Sequence, residues 1–174
     1  QILADDLART DATLSAWDIK FVDATSAPAK AIARRAIRAG KDAADAMRGA
    51  DFVISAVTAA QTKAAAYAAA QAIKSGTFYL DLNSASPAAK QDAGRAIDGA
   101  GGRYVEAAVM SPIQPKRIAT AMLLGGPHAE HFLPIAQDLG FSGARLFSAE
   151  LGRASAAKMC RSVMVKGIEA LLCE

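Results

Sequence analysis

Short apolar runs alternate with amphipathic, alanine-rich segments along most of the chain. The runs 51–57 and 77–82 are nearly continuous in apolar residues and are bounded by turn residues. Such runs are typical of parallel strands that are covered on both faces, and we interpret 51–57 as a central strand. Strands that alternate with helices at this spacing predict an α/β fold with a doubly wound, mostly parallel sheet.

The hydrophobic pattern also predicts where each element begins and ends. The predicted strands are 14–18, 51–57, 77–82, 104–109, 119–124 and 144–147. The predicted helices are 1–9, 29–39 with Gly40 as C-terminal cap, 41–48, 59–74, the segment from Ser86–Pro87 to Gly101–Gly102, 129–139 and 151–174.

Ligands of doubly wound sheets bind outside the carboxyl ends of the strands. We take the residues at or directly after the ends of predicted strands at that edge as candidate binding residues. They are Asp18, Val57–Thr58, Asn83–Ser84 and Met110–Ser111.

Asp18 is a candidate for binding the ribose of a dinucleotide. The dinucleotide fingerprint places a glycine-rich turn after the first strand and an acid about 20 residues further on. The chain contains no such glycine motif, and Gln1 already lies in a helical pattern. We therefore expect the chain to be a fragment, with Asp18 as the acid if the glycines precede Gln1. The alternative is that Asp18 is an ordinary acid at a strand end, and Lys20 leaves the choice between NAD and NADP open.

The last predicted helix carries a polar stripe. At about 100° per residue, five polar residues fall on one narrow face of this helix. They are Ser155, Lys158, Ser162, Lys166 and Glu169. Apolar residues on the other faces, among them Val163 and Ile168, predict that the helix is largely packed. A solvated surface is one interpretation of the stripe, but the small residues around Lys158 favour a cofactor cleft.

Composition narrows the classes of function. The net charge is +3, and the basic residues are scattered among acids, so the sequence does not indicate binding to nucleic acid. Cys160 and Cys173 match no metal-ligand or disulfide pattern, and His128 and His131 have no partner at metal-ligand spacing. No apolar run reaches the roughly 18 residues of a membrane-spanning helix. We therefore expect a protein of the cytoplasm that binds neither a membrane nor a metal.

Four segments, taken in order, resemble the β-hydroxyacid dehydrogenases, the family of 3-hydroxyisobutyrate and 6-phosphogluconate dehydrogenases. They are SAVTAAQT at 55–62, YLDLNSASP at 79–87, YVEAAVMSP at 104–112 with AMLLGG at 121–126, and GRASAAKM at 152–159. The last segment is similar to the glycine-rich start of the helix that carries the catalytic lysine of the family. The chain departs from the family pattern at Met110–Pro112, where Ser-Gly-Gly is usual, and at Ser162, where Asn is usual.

The resemblance implies a Rossmann-type dinucleotide-binding domain over 1–150, and a helix from 151 to 174 that leads into an all-helical domain. It implies NAD as cofactor, with NADP as the alternative, and a homodimer formed through the helical domain. By position Lys158 is the catalytic residue, and Ser111 and Ser162 are substrate-binding residues. The strand ends Val57–Thr58 and Asn83–Ser84 are expected to line the nicotinamide side of the cleft.

Three functions are compatible with these residues. The first is hydride transfer between a nicotinamide cofactor and a small hydroxy acid, with Lys158 as general acid and base. The second is a catalytically inactive NAD(P)-binding or regulatory protein, which the changes at Met110–Pro112 and Ser162 favour. The third is a reductase of an imine or another carbonyl analogue.

Overall fold

The computed structural model describes residues 2–173, which form an α/β fold. Its helices are α1 (Ile2–Leu7), α2 (Ala27–Ile32), α3 (Ala43–Met47), α4 (Thr62–Ala70), α5 (Pro87–Gly99), α6 (Ala129–Asp138) and α7 (Arg153–Leu172). Its strands are β1 (Ser15–Ala16), β2 (Arg38–Ala39), β3 (Phe52–Ser55), β4 (Phe78–Asp81), β5 (Arg103–Val109), β6 (Met122–Gly125) and β7 (Ala144–Ser148). Short 3-10 helices span Ile19–Val22, Ala59–Gln61 and Arg117–Ala119.

The strands form two sheets within the described residues. The larger has the order β3-β4-β5-β6-β7, and the smaller is the parallel pair of β1 and β2. In the larger sheet β3, β4 and β5 are parallel, β6 is antiparallel to β5, and β7 is parallel to β6. The mostly parallel α/β architecture predicted from the apolar runs is therefore confirmed.

Helices cover both faces of the larger sheet. On one face Phe78 and Val105 pack with Phe132 of α6 and Leu7 of α1. On the other face Tyr79 and Tyr104 stack with their rings 6.0 Å apart and pack against α4 and α5. Alternate residues of β4 and β5 thus enter two separate cores, which explains why most residues of both strands are apolar.

The prediction of a helix over 29–39 is wrong in its second half. Helix α2 ends at Ile32, and Arg38 and Ala39 form β2. The amide of Arg38 donates to the Leu14 carbonyl, and that of Gly40 donates to the Ala16 carbonyl. Pairing with β1 outweighs the local helical preference, so Gly40 follows a strand and does not cap a helix.

Other boundaries also differ from the prediction. Strand 51–57 was expected to be central, but β3 is an end strand of the larger sheet within the described residues, since an apolar run indicates burial and not which strands are its neighbours. The helix expected over 59–74 begins as a 3-10 turn, and its α-helical part ends at Ala70. Residues 117–119 form a 3-10 turn, so β6 begins only at Met122.

Helix α7 is packed only near its start. Ala154 and Ser155 are buried and Ser162 is half-buried, but Val163, Ile168 and Leu171 are exposed. The expectation of a largely packed helix is therefore wrong for its C-terminal half within the described residues. Within the same residues, no helix combines the length and apolar character needed to cross a membrane.

Candidate functional site

A cavity of about 370 Å³ lies where the carboxyl ends of β4 and β5 face α7. It is lined by Asn83, Ser84, Ala85, Ser86, Ala107, Ala108, Ser155, Lys158, Met159, Ser162, Val163 and Lys166. A depression of about 480 Å³ beside α1 and α2 contains no residue of these strand ends, and its Arg35 is paired with Asp5. Since ligands of such sheets bind at the carboxyl ends, the first cavity is the candidate site.

Lys158 reaches across the cavity to the end of β4. Its Nζ donates to the Ser84 hydroxyl over 2.7 Å. The side chain is partly removed from water, and this burial lowers the pKa of Lys158 from its ordinary value. The structure thus joins the polar stripe of the last helix to one of the predicted strand ends.

The carboxylate of Glu106 on β5 holds the start of α7. Its two oxygens accept from the amides of Gly152, over 2.6 Å, and Ser155, over 2.7 Å. Glu106 is fully buried, so both bonds are charge-assisted and shielded from water. A carboxylate at a helix N-terminus is also favoured by the helix dipole. Strand β5 therefore fixes the origin of the helix that presents Lys158.

Gly152, whose amide donates to Glu106 in this anchor of α7, has a left-handed backbone conformation. Its φ is +91°, and a Cβ at this position would lie 3.0 Å from Nε2 of Gln91 and 3.2 Å from Cβ of Pro87. Gly152→Ala is expected to lower the free energy of unfolding by about 1–2 kcal/mol, since L side chains disfavour this region. Denaturant unfolding measures the change, and Gly167→Ala, in open space within α7, is the control. An unchanged stability would show that the anchor tolerates a side chain.

Asn83 links the ends of β3 and β4. Its Oδ1 accepts from the Val57 amide over 2.6 Å, and its Nδ2 donates to the Ser55 hydroxyl over 3.0 Å. Val57 is exposed beside it, and Thr58 is also exposed, at the start of a 3-10 helix. The structure therefore places the predicted pairs 57–58 and 83–84 along one edge of the sheet.

A buried ionic cluster lies beneath the cavity. Nζ of Lys90 on α5 forms an ion pair with Oδ1 of Asp81 over 2.9 Å and donates to the main-chain carbonyl of Asp81, also over 2.9 Å. The Tyr104 hydroxyl donates to Oδ2 of Asp81 over 2.6 Å. Burial lowers the pKa of Lys90, and the attraction of Asp81 opposes this shift only in part. Burial raises the pKa of Tyr104, and the charge of Asp81 adds to this shift.

Sequence reasoning missed this cluster and the Glu106 anchor. The signal was present, because Asp81 and Glu106 are charged residues inside otherwise apolar strands and such residues need partners. The two are register partners on β4 and β5. Asp81 also accepts from the Asn83 amide over 2.8 Å, so the ionic cluster holds the strand end that carries Asn83 and Ser84.

The other predicted site residues lie at different places. Ser162 lines the cavity one turn after Lys158. Ser111 is exposed and does not line it, although Arg161 of α7 donates to the neighbouring Met110 carbonyl over 2.7 Å. Asp18 follows β1 and caps the 3-10 helix that begins at Ile19, accepting from the Lys20 amide over 2.9 Å. Asp18 lies in the β1–β2 unit and is not part of the cavity.

Comparisons with solved structures find proteins that share this fold. A conserved hypothetical protein from Sinorhizobium meliloti is 35% identical with a TM-score of 0.84, over 98% of this chain and 58% of that one. A conserved protein of unknown function, described as structurally similar to 3-hydroxyacid dehydrogenases, is 27% identical with a TM-score of 0.81. The match covers 98% of this chain and 62% of that protein. The imine reductase from Myxococcus stipitatus with NADP⁺ shares the fold at 17% identity and a TM-score of 0.75, over 98% and 58%.

The chain thus spans about three fifths of the length of the first two proteins, namely 58% and 62%. A search of curated protein sequences found no significant match. The sequence profile for the NAD binding domain of 6-phosphogluconate dehydrogenase matches residues 2–146. The matched range contains α1 to α6 and all strands of both sheets, apart from the end of β7. The chain therefore belongs to the family of NAD-binding domains represented by that of 6-phosphogluconate dehydrogenase.

Proposed function

We propose that this protein transfers a hydride between a nicotinamide cofactor and a small hydroxy acid, with Lys158 as general acid and base. One observation carries the proposal: the Lys158 amine lies 2.7 Å from the Ser84 hydroxyl inside a cavity at the carboxyl ends of the strands. The proposal is supported by this position, because ligands of doubly wound sheets bind at the carboxyl ends of the strands and an amine there could exchange a proton with the substrate.

The residues at this edge fit a nicotinamide cofactor, which supplies the hydride acceptor when bound. Val57 and Thr58 are exposed beyond β3, and Ser84 is exposed beyond β4. The cavity wall next to them consists of small side chains, among them Ala107 and Ala108, which leave room for a planar ring. We assign Val57, Thr58, Asn83 and Ser84 to the nicotinamide side of the cleft, and Ser111 and Ser162 to the substrate side.

Lys158 has the properties that a general base requires. Its partial burial disfavours the ammonium form and brings the pKa towards the pH at which the enzyme works. The neutral amine takes the proton of the substrate hydroxyl during oxidation, and the ammonium returns it during reduction. Ser84 orients the amine through their hydrogen bond. Ser162, on the same face of α7, is suited to hold the substrate in place of the Asn that is usual in the family.

The oxidation rate should depend on the protonation of Lys158. Because the base form is the neutral amine, kcat/KM for oxidation is expected to rise with pH through an apparent pKa below the ordinary 10.5 of lysine. Reduction requires the ammonium and is expected to fall over the same range. Initial rates in both directions as a function of pH check this. Profiles that do not move in opposite directions would rule out a single group acting as acid and base.

Activity measurements distinguish the proposed dehydrogenase from the two alternative functions. The full-length protein is tested with NAD and NADP against a panel of hydroxy acids, and in reverse against keto acids and cyclic imines. Oxidation of a hydroxy acid is the expected result. Tight cofactor binding without turnover of any compound would favour an inactive or regulatory protein. Reduction of imines alone would favour an imine reductase, the activity named for the structural neighbour from Myxococcus stipitatus.

NAD is expected to bind more tightly than NADP. One oxygen of Asp18 accepts from the Lys20 amide, and the other can accept from a ribose hydroxyl but would repel a 2′-phosphate. Asp18→Ala should lower the ratio of Kd for NADP to Kd for NAD about tenfold, which is the effect of roughly one charge-assisted hydrogen bond. Titration of cofactor fluorescence measures both constants, with Asp11→Ala as the control at an exposed acid. Tighter NADP binding by the unmodified protein would overturn the assignment and favour Lys20 as a phosphate ligand.

The remaining proposals concern the whole protein and rest on the family resemblance. We propose that it forms a homodimer through a helical domain, that α7 leads into this domain, and that the protein works in the cytoplasm. The exposed apolar residues Met164, Ile168 and Leu171 of α7 are compatible with such packing. The free thiols of Cys160 and Cys173 are exposed, which is compatible with a reducing compartment.

A further inference from the structure

Two carboxylates are buried side by side on neighbouring strands. Asp81 of β4 and Glu106 of β5 are register partners, and both are fully buried. Tyr79 and Tyr104 precede them by two residues and pack on the sheet face that α4 and α5 cover. Since alternate residues of a strand point to the same face, both carboxylates lie on that face. Two charges so placed are costly unless each is compensated.

The two carboxylates are compensated in different ways. Glu106 accepts from the amides of Gly152 and Ser155 at the start of α7, where the helix dipole is positive. Among the described residues, Lys90 is the cation paired with Asp81, with Nζ 2.9 Å from Oδ1. The same Nζ donates to the main-chain carbonyl of Asp81 over 2.9 Å. Lys90 therefore neutralises the carboxylate and also holds the last residue of β4.

The end of β4 connects this ion pair to Lys158. Oδ1 of Asp81 accepts from the Asn83 amide over 2.8 Å, and the next residue, Ser84, accepts from Nζ of Lys158 over 2.7 Å. Three residue steps from Asp81 to Ser84 span at most about 11 Å, even in a fully extended chain. The Lys90 ammonium and the Lys158 amine thus contact one short segment from opposite sides of its length.

The other charged residues of the elements that contact α7 are exposed or half-buried. They are Asp92, Arg95 and Asp98 of α5, Arg103 of β5, Arg145 of β7, and Arg153, Arg161, Lys166 and Glu169 of α7 itself, while β6 has none. Water and salt screen exposed charges far more than buried ones. Burial raises the pKa of the Tyr104 hydroxyl, which is therefore neutral. The buried charges near Lys158 are thus those of Lys90, Asp81 and Glu106.

We infer that Lys90 is a positioning residue of the reaction, which holds the β4 end that meets Lys158 and compensates the charge of Asp81. The inference rests on the proposed role of Lys158 and adds a residue that supports it without contact to substrate or cofactor. Lys90 is 1% exposed and does not line the cavity, so it acts through Asp81.

The charge of Lys90 favours the neutral form of the Lys158 amine. Burial is the main cause that lowers the pKa of Lys90; Asp81 and Glu106 oppose the shift, and repulsion by Lys158 adds to it. Repulsion between two ammonium groups is mutual, so it acts in the same direction as the burial that lowers the pKa of Lys158. Without Lys90, the uncompensated carboxylate of Asp81 would stabilise the Lys158 ammonium, and less of the base form would be present at a given pH.

The test is the pH dependence of the acetylation of Lys158 by acetic anhydride in the full-length protein without substrate. Only the neutral amine reacts, so the midpoint of the curve reports the protonation of Lys158 and the plateau reports the exposure of its side chain. Mass spectrometry of the digested protein measures the rate at Lys158. The measurement needs no turnover.

Lys90→Met is expected to shift the midpoint for Lys158 to higher pH. Below the midpoint, acetylation should slow about tenfold, the effect of one charge roughly 10 Å away at an effective dielectric constant of about 20. Adding Asp81→Asn removes the uncompensated carboxylate and should restore the original midpoint, although the contacts of Lys90 are still lost. A merely structural role would change the plateau and would not be rescued in this way. The control is Lys63→Met, which removes a partly exposed cation paired with Asp92 and should leave the midpoint unchanged.

Asp81→Asn alone provides a second test if Lys90→Met does not fold. It leaves the buried cation without its carboxylate, so the midpoint for Lys158 should shift to lower pH. An unchanged or lower midpoint in Lys90→Met would overturn the inference, and so would a double variant that keeps the raised midpoint. If Lys90→Met does not fold, an unchanged or higher midpoint in Asp81→Asn has the same consequence.

This inference and the proposed function can fail separately. If the midpoint depends on Lys90 but no hydroxy acid is oxidised, the coupling of the two lysines stands and the proposed function fails. If a hydroxy acid is oxidised and the midpoint for Lys158 is the same with and without Lys90, the proposed function stands and the inference about Lys90 fails.

Discussion

Replacing Lys158 by Met is expected to reduce turnover by roughly 10²–10⁴, the usual contribution of a general acid or base. Methionine has a similar length but cannot carry a proton. The lysine lies on the cavity side of α7, and its one hydrogen bond within the described residues is to Ser84, so the fold should persist without the amine. Steady-state kinetics of the full-length protein measure the loss, and cofactor titration should give a nearly unchanged Kd.

Lys158→Arg distinguishes a base from a positive charge that only attracts the substrate. Arginine keeps the charge but does not deprotonate in proteins. If Lys158 is the base, the Arg variant should lose turnover as the Met variant does, while substrate analogues still bind. Near-normal turnover in the Arg variant would show that the charge alone is needed and would exclude Lys158 as the proton-transfer group.

Lys90→Met is expected to lower the free energy of unfolding by about 3–5 kcal/mol, because it leaves the buried carboxylate of Asp81 without its cation. Side chains of both residues are only 1% exposed. The matched control is Lys63→Met, which breaks the pair with Asp92 at side chains that are 49% and 28% exposed, and should cost at most about 1 kcal/mol. Denaturant unfolding compares the two variants.

A second variant tests the cause of this loss. If an unpaired buried charge destabilises Lys90→Met, then adding Asp81→Asn should recover part of the lost stability. A Lys90→Met protein as stable as Lys63→Met would contradict the assignment, and so would a double variant less stable than Lys90→Met alone.

The fold could be predicted where burial determines the structure. Strands β3, β4 and β5 were located because their residues are apolar on two faces, and α5 because Ser86 and Pro87 mark its start. The segment 29–40 was mispredicted because β2 has only two residues and forms by pairing with β1. Such a short strand leaves no periodicity in the sequence.

The placement of the candidate site was predictable in part. The helical period predicted that Lys158 and Ser162 share one face of α7. Asn83 and Ser84 were selected because ligands of parallel sheets bind at the carboxyl ends of the strands. A charge inside the apolar strand β5 indicates that Glu106 has a partner, but the identity of the partner was not predictable, because it depends on how α7 approaches β5 in three dimensions. Ser111 was chosen by its position after a strand, but it is exposed and does not line the cavity.

The most direct test of the central claim is a crystal structure of the full-length protein with NAD⁺. We expect the nicotinamide ring to lie between the 57–58 and 83–84 strand ends, with its reactive carbon facing the cavity of Lys158. A hydroxy acid in that cavity could then place its carbinol roughly 3–3.5 Å from the ring, the distance of a reactive geometry. A cofactor bound at another edge of the sheet, or a ring turned away from Lys158, would contradict the proposed function of this site.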